Sequence, residues 1–120
     1  MNASDAHTMV ELRTLEEWRA CLAASEETPQ FIFKHSTACP ISGEAYDAVQ
    51  SYLWERSDGP PMHMVKVIES RPVSNAIAED LDLTHKSPQL ILVDNGEAQW
   101  SASHHAIYAD GIHEVAGSAA

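Results

Sequence analysis

Apolar residues recur at helical spacing in four segments of the chain, and short apolar runs bounded by turn-forming residues separate these segments. Apolar positions three or four residues apart predict amphipathic helices, whereas short β-branched and aromatic runs predict buried strands. The predicted order is helix, strand, helix, strand, helix, strand, strand, helix. The predicted helices cover about residues 15–24, 40–55, 71–81 and 104–116, and the predicted strands cover about 30–34, 62–69, 90–93 and 98–102.

Two local signals set element boundaries within this order. Thr14, followed three residues later by Glu17, has the pattern of a capping box, which predicts the start of the first helix. Asn95-Gly96 lies between the last two strands, and this dipeptide favours a tight hairpin turn. Two strand–helix–strand crossovers followed by a hairpin predict a central mixed β-sheet flanked by α-helices, which is the order of a thioredoxin-like α/β fold.

The length and the composition indicate one globular domain. The chain has 120 residues, of which 44 % are hydrophobic and 21 % are charged, as is typical of soluble proteins. We expect a disordered tail over residues 1–9, the folded domain over 10–116 and a loose C-terminus over 117–120. The first eight residues lack the features of a secretory signal, and no apolar run approaches the roughly 18–20 residues of a membrane span.

The charge balance and the cysteine count narrow the possible partners and the compartment. Acidic residues outnumber basic ones by 18 to 7, so the net charge is −11. Nucleic acids and anionic membranes attract positive surfaces, so this balance argues against both as partners. Two cysteines give no disulfide framework, and the reducing cytoplasm is the expected location. Cys21 lies beside Glu16 and Glu17, which disfavour a thiolate, so we expect a structural role for it.

Cys39 is the candidate nucleophile. It follows a predicted buried strand and precedes Pro40, a residue favoured at the first position of a helix. A helix N-terminus favours an anion such as a thiolate, although a buried cysteine also serves as a small apolar residue. Ser42 stands where a Cys-x-x-Cys protein has its second cysteine, and its hydroxyl is expected to donate to the sulfur. His35 either adds positive charge to this site or is a plain strand-end residue.

Two further segments are candidates for ligand binding. Pro88 directly precedes a buried strand, which predicts a cis peptide bond after Ser87. The backbone of Ser87 would then pair with an extended thiol ligand. The last helix is predicted to begin at Ser103-His104, and its N-terminus is expected to approach Cys39 and to hold a ligand carboxylate. The alternative is an ordinary helix cap with solvated histidines.

Four blocks carry a family resemblance, namely FKHSTACPIS over residues 33–42, ESRPVS over 69–74, SPQ over 87–89 and WSASH over 100–104. In this order they resemble the monothiol bacilliredoxins (YtxJ-like proteins) of the bacillithiol system, from about Thr14 to Ile112. The resemblance implies a thioredoxin-like fold that exchanges thiols with protein–bacillithiol mixed disulfides. It implies that Cys39 is the nucleophile, that Ser42 marks the absence of a resolving thiol and that Pro88 is a cis-proline. Pro40 is expected beside the bound thiol.

The expected function is therefore removal of a low-molecular-weight thiol, with bacillithiol the leading candidate, from S-thiolated client proteins. No cofactor is expected apart from this small-thiol co-substrate. One alternative is a carrier in which Cys39 and a small thiol ligate an iron–sulfur cluster, but that class uses Cys-Gly-Phe-Ser and this chain has Pro40-Ile41. A redox-inactive binding module is the other alternative. No metal site is expected, because the adjacent His104 and His105 diverge on a helix.

Overall fold

The structure is a computed structural model and describes residues 9–56 and 59–119. Residues 1–8 of the expected tail, Ser57, Asp58 and Ala120 lie outside the described residues. In chain order the elements are β1 Val10–Glu11, α1 Leu15–Ala24, β2 Gln30–His35, α2 Pro40–Glu55, β3 Met62–Lys66, α3 Arg71–Asp80, β4 Gln89–Asp94, β5 Glu97–Ser103, a 3₁₀ turn His104–Ala106 and α4 Ala109–Ala119.

The strands form one mixed sheet in the order β1-β3-β2-β4-β5. Strand β2 lies at its centre and runs parallel to β3 and antiparallel to β4. Strands β4 and β5 form the predicted antiparallel hairpin. Lys34 on β2 pairs with Val65 on one side and with Gln89 on the other, so Pro88 comes opposite His35 at the end of β2. The predicted mixed sheet is confirmed.

Helices cover both faces of the sheet, and alternate residues of the central strands point into two separate cores. The front core lies under α2 and α4 and contains Phe31, Phe33, Ala45, Val49, Tyr52, Leu53, Met62, Leu90, Leu92, Ile107, Ile112 and Ala116. The back core lies under α1 and α3 and contains Leu12, Trp18, Cys21, Ile32, Val65, Val73, Ile77, Leu81, Ile91 and Val93. Because β2 is covered on both faces, all six of its residues are buried.

The local signals act as predicted. The Thr14 hydroxyl accepts a hydrogen bond from the Glu17 N–H at 3.1 Å, and the Glu17 carboxylate accepts from the Thr14 N–H at 3.2 Å, so the capping box is complete. In the hairpin, Asn95 and Gly96 have φ angles of 55° and 78°. Two consecutive left-handed residues are what a tight hairpin turn requires.

The structure differs from the sequence predictions at the sheet edge and at the last helix. Strand β1, which the sequence does not predict, has two residues. It is a strand because it pairs with β3. Met9, placed in the expected tail, is half-buried against the front core. Helix α4 begins at Ala109 and runs to Ala119, so residues 117–119 continue a helix where a loose end is predicted. None of the helices in the described part is both long and apolar enough to cross a membrane.

Candidate functional site

Cys39 lies between the end of β2 and the first residue of α2, as predicted. It is the N-cap residue of α2, with extended backbone angles, and Pro40 follows in the first turn of the helix. Its N–H donates to the Ser36 carbonyl at 3.3 Å, and its own carbonyl accepts from the Gly43 N–H at 3.1 Å. The side chain is half-exposed and makes no capping hydrogen bond. The backbone therefore fixes the position of the thiol while the sulfur stays open to a ligand.

Ser42 is fully buried one helical turn beyond Cys39. Its hydroxyl oxygen accepts the Ser36 N–H at 2.9 Å and lies 2.7 Å from His35 Nδ1. These contacts differ from the predicted hydrogen bond to the Cys39 sulfur. Ser42 instead fastens the 36–39 segment to the end of β2, so it holds the backbone that carries the thiol.

His35 is more than a plain strand-end residue. Its ring stacks on Phe33 with the ring centres 5.4 Å apart and lies 5.1 Å from the ring of Tyr46. Burial lowers the pKa of His35, and the charge of Lys66 lowers it further, whereas Glu69 raises it. The ring is therefore neutral at pH 7. His35 acts as a buried partner of Ser42 and not as the positive charge considered from the sequence.

The Ser87–Pro88 segment lies beside the end of β2. The peptide bond between these residues is cis. The Pro88 carbonyl accepts the His104 N–H at 3.1 Å, which joins this segment to the end of β5. The Ser87 hydroxyl is buried and has no hydrogen-bond partner within the described part of the chain. A buried hydroxyl without a partner is uncommon and can hydrogen-bond an incoming ligand.

The predicted helix start at Ser103-His104 is wrong. Ser103 ends β5 opposite Gln89, and His104 begins the three-residue 3₁₀ turn with a φ angle of 54°. A right-handed helix cannot start from this angle, and helix α4 begins five residues later. Ser103 and His104 still lie beside Pro88, and His105 Nδ1 is 3.7 Å from a Glu44 carboxylate oxygen in the first turns of α2. The site therefore has a short turn where a helix N-terminus is predicted.

Cys21 lies in the back core and is separated from Cys39 by the sheet. It is 5 % exposed. Burial raises the pKa of Cys21 to about 12, so the thiol is protonated at neutral pH. Desolvation is the cause of this raised pKa, whereas the sequence suggests that neighbouring carboxylates disfavour the thiolate. Both cysteines are free thiols.

Lys34, which the sequence analysis does not single out, is fully buried on the back face of β2. Its ammonium nitrogen lies 3.0 Å from the Ser74 carbonyl oxygen and 3.1 Å from His85 Nδ1. Burial lowers the pKa of Lys34 to about 8. The burial of Lys34 could have been found from its place in the run FIFKH. Lys34 lies two residues after Ile32 on the same face of the strand, so its side chain must point into the back core. No cluster of three metal-ligating side chains is found among the described residues.

Comparisons with known proteins agree with this geometry. The family model described as "Monothiol bacilliredoxin BrxC" matches residues 10–112. A solved structure described as a proposed oxidoreductase with a thioredoxin fold is 27 % identical, with a TM-score of 0.81. That match covers 94 % of this chain and 97 % of the other.

Two thioredoxins share the fold at low identity. Thioredoxin of Fasciola hepatica is 12 % identical with a TM-score of 0.72, over 93 % of this chain and all of that one. A thioredoxin variant of Halobacterium salinarum is 13 % identical with a TM-score of 0.74, over 99 % of this chain and 96 % of the other. The predicted thioredoxin-like fold is confirmed.

Proposed function

The chain belongs to the monothiol bacilliredoxin family, and we propose that it removes bacillithiol from client proteins that carry it as a mixed disulfide. The family and the fold are those of thiol–disulfide oxidoreductases. Bacillithiol as the small thiol, S-thiolated proteins as clients and the cytoplasm as the location are parts of this proposal. Two free thiols in the folded chain fit a reducing compartment.

The placement of the two cysteines carries the proposal. Cys39 is half-exposed at the start of a 16-residue helix, where unpaired backbone N–H groups favour a thiolate. Ser42 occupies the position one turn further on, from which a resolving thiol would attack. Cys21 lies in the back core on the other side of the sheet. A mixed disulfide on Cys39 therefore has no second thiol of the same chain beside it.

The exchange then takes two steps. In the first step, the Cys39 thiolate attacks the bacillithiol sulfur of the mixed disulfide, the client's sulfur leaves as a thiolate, and that thiolate takes up a proton. In the second step, a free bacillithiol thiolate attacks the bacillithiol sulfur bound to Cys39. Bacillithiol disulfide leaves, and the Cys39 thiolate is regenerated. One disulfide is present before and after each step, so electrons balance without a further oxidant or reductant.

Five residues around Cys39 are proposed to contact the small thiol. Pro40 follows the nucleophile, and Ser87 offers a buried hydroxyl without a partner in the described chain. Pro88 and His104 are joined by a backbone hydrogen bond, and Ser103 precedes His104 at the end of β5. Ser42 and His35 are proposed as positioning residues, because they hold the 36–39 segment through the Ser36 N–H.

Intact mass spectrometry with Ser42→Cys tests the proposal. After reaction with a bacillithiol mixed disulfide of a client protein, the wild type should accumulate with one bacillithiol on Cys39. Ser42→Cys places a thiol one turn from the mixed disulfide and should instead release bacillithiol and accumulate an internal disulfide. Relative to its own reduced form, the wild type carries the added small thiol, whereas Ser42→Cys has lost only two hydrogens.

Matched variants separate the roles of the cysteines. Cys39→Ser should take up no bacillithiol, Cys21→Ser should behave as the wild type, and Ser42→Ala should retain bacillithiol on Cys39. If the wild type releases the small thiol unaided, Cys21 or another group resolves the disulfide and the monothiol mechanism is wrong. If the wild type reacts with glutathione or cysteine mixed disulfides but not with the bacillithiol one, bacillithiol is the wrong co-substrate.

A further inference from the structure

We propose that Lys34 is a positioning residue for the ligand-binding segment Ser87–Pro88, which it holds from the back of the sheet through the neutral ring of His85. This inference rests on the proposed function, because it concerns how that site holds its small thiol. Lys34 takes no part in the two exchange steps themselves.

The chemistry of the contact determines which partner donates. An ammonium group has three donors and no acceptor, so Lys34 must donate to the Ser74 carbonyl and to His85 Nδ1. His85 Nδ1 must therefore carry a lone pair, and the ring must be neutral with its proton on Nε2. The Ser74 hydroxyl lies 3.4 Å from the same ring nitrogen. The strand β2, the helix α3 and the loop after α3 thus meet at one buried charge.

The loop that carries His85 leads directly into the candidate ligand-binding segment. The buried Gln89 side chain fastens the same loop a second time, because its amide nitrogen donates to the Thr84 carbonyl at 3.2 Å and its amide oxygen accepts from the Lys86 N–H at 3.4 Å. Gln89 is also the β-sheet partner of Lys34. Ser87 and Pro88 lie between these fastened points, so losing the His85 contact leaves the loop that enters them held through Gln89 and no longer through Lys34.

Protonation of His85 breaks the contact. The doubly protonated ring has N–H groups on both nitrogens, so Nδ1 no longer accepts from Lys34 and two cations face each other. The ring is solvent-exposed, so protons reach it from bulk water. The ring is nevertheless partly desolvated against the protein, and this lowers the pKa of His85, as do the charges of Lys34 on β2 and Arg71 on α3. Glu79 and Asp82 line a shallow pocket of about 380 Å³ together with His85 and are the acidic residues of that lining.

The first test measures the contact itself by NMR titration of the His85 ring. Lys34→Met keeps an unbranched buried side chain but removes the charge, so the pKa of His85 should move upward toward about 6.5. Lys66→Met removes a partly exposed lysine from the neighbouring strand β3 and should leave the His85 titration unchanged. Amide hydrogen exchange over residues 83–89 should accelerate in Lys34→Met and not in Lys66→Met. Unchanged titration and exchange in a folded Lys34→Met overturn the proposal.

The second test measures the effect on the site with a bacillithiol mixed disulfide of a client protein. Because the effect reaches the segment only through the loop, Lys34→Met should raise KM by about threefold to tenfold with kcat within twofold, which is less than the loss of a hydrogen bond from a charged group to the ligand itself. His85→Asn keeps an acceptor near the position of Nδ1 but cannot take up a proton. The wild-type KM should therefore rise between pH 7.5 and 5.5 more than that of His85→Asn, in which every other titrating group is the same.

The failures of the two proposals are distinguishable. A wild type that accepts no mixed disulfide refutes the proposed function, while the titration and exchange measurements still decide whether Lys34 holds the loop. Alkylation of Cys39 by iodoacetamide should proceed equally in the wild type, Lys34→Met and His85→Asn, because the loop acts on ligand binding. If KM is unchanged in Lys34→Met, or if His85→Asn keeps the full pH dependence of KM, Lys34 does not position the segment.

Discussion

The buried ammonium group of Lys34 predicts a specific dependence of stability on pH. Burial lowers the pKa of Lys34 from 10.5 to about 8 in the folded protein. Between these two values the unfolded chain holds a proton that the folded chain has released. Stability therefore rises with pH from about 8 to 10.5, and it has no contribution from this group's titration outside that window. The shift corresponds to a rise of about 3 kcal/mol in the free energy of unfolding.

Lys34→Met isolates this contribution, because it removes the titrating group and leaves the others. Cys21 acts in the opposite direction above pH 9, since its pKa is raised to about 12, but it does so in both proteins and cancels in their difference. Urea unfolding followed by tryptophan fluorescence at pH 7, 8.5 and 10 gives the two free energies. The free energy of unfolding of the wild type should rise relative to that of Lys34→Met as pH rises. The difference between the wild type and Lys66→Met should not change with pH. If the difference between the wild type and Lys34→Met is also independent of pH, the reasoning from a buried Lys34 ammonium group is refuted.

Three further measurements test other parts of the structure. Iodoacetamide should label Cys39 at least about tenfold faster than Cys21 at pH 8, because a buried thiol with a raised pKa reacts slowly, and equal rates would contradict this assignment. Thr14→Ala should lower the free energy of unfolding by about 1 kcal/mol through loss of the helix cap, whereas Thr14→Ser should retain most of it, as urea unfolding would show. Gly96→Ala should lower the free energy of unfolding by about 1 kcal/mol, because Gly96 has a φ of 78°. Gly43→Ala should raise it by about 0.5–1 kcal/mol, because Gly43 lies in a helix with open space around the new Cβ. Equal effects of the two glycine substitutions would contradict the backbone geometry.

The sequence predicts the parts of the fold that local interactions define. The capping box of Thr14 and Glu17 and the turn of Asn95 and Gly96 need only neighbouring residues, so the signals are readable without a structure. Strand β1 is different, because two residues carry no periodicity and pairing with β3 alone makes them a strand. Pairing between elements that are distant in sequence is therefore the part of the fold that a local sequence pattern does not predict.

In the candidate site, too, local sequence predicts some features and misses others. Strand, cysteine and proline in series locate Cys39 at the start of α2, and the structure agrees. Serine is a residue type that favours helix caps, but Ser103 ends β5. His104 after it has a left-handed φ and donates its N–H to the Pro88 carbonyl. Lys34 contacts Ser74 and His85, which are distant in sequence, so spacing along the chain cannot reveal these contacts. The partners of His35 are nearer in sequence, but they meet its ring only because the chain turns back from the end of β2 into α2.

The hydrogen bonds of Ser42 have an evolutionary consequence. A change from serine to cysteine at this position is often a single-nucleotide event, and it would create a two-cysteine site. The same event replaces a hydroxyl that accepts the Ser36 N–H and pairs with His35 by a larger and weaker hydrogen-bonding sulfur. Leaving such buried partners unsatisfied costs about 1–3 kcal/mol each. A lineage that moves from one thiol to two must therefore repack around position 35. Under the proposed function, the buried hydroxyl helps to keep the exchange dependent on an external thiol.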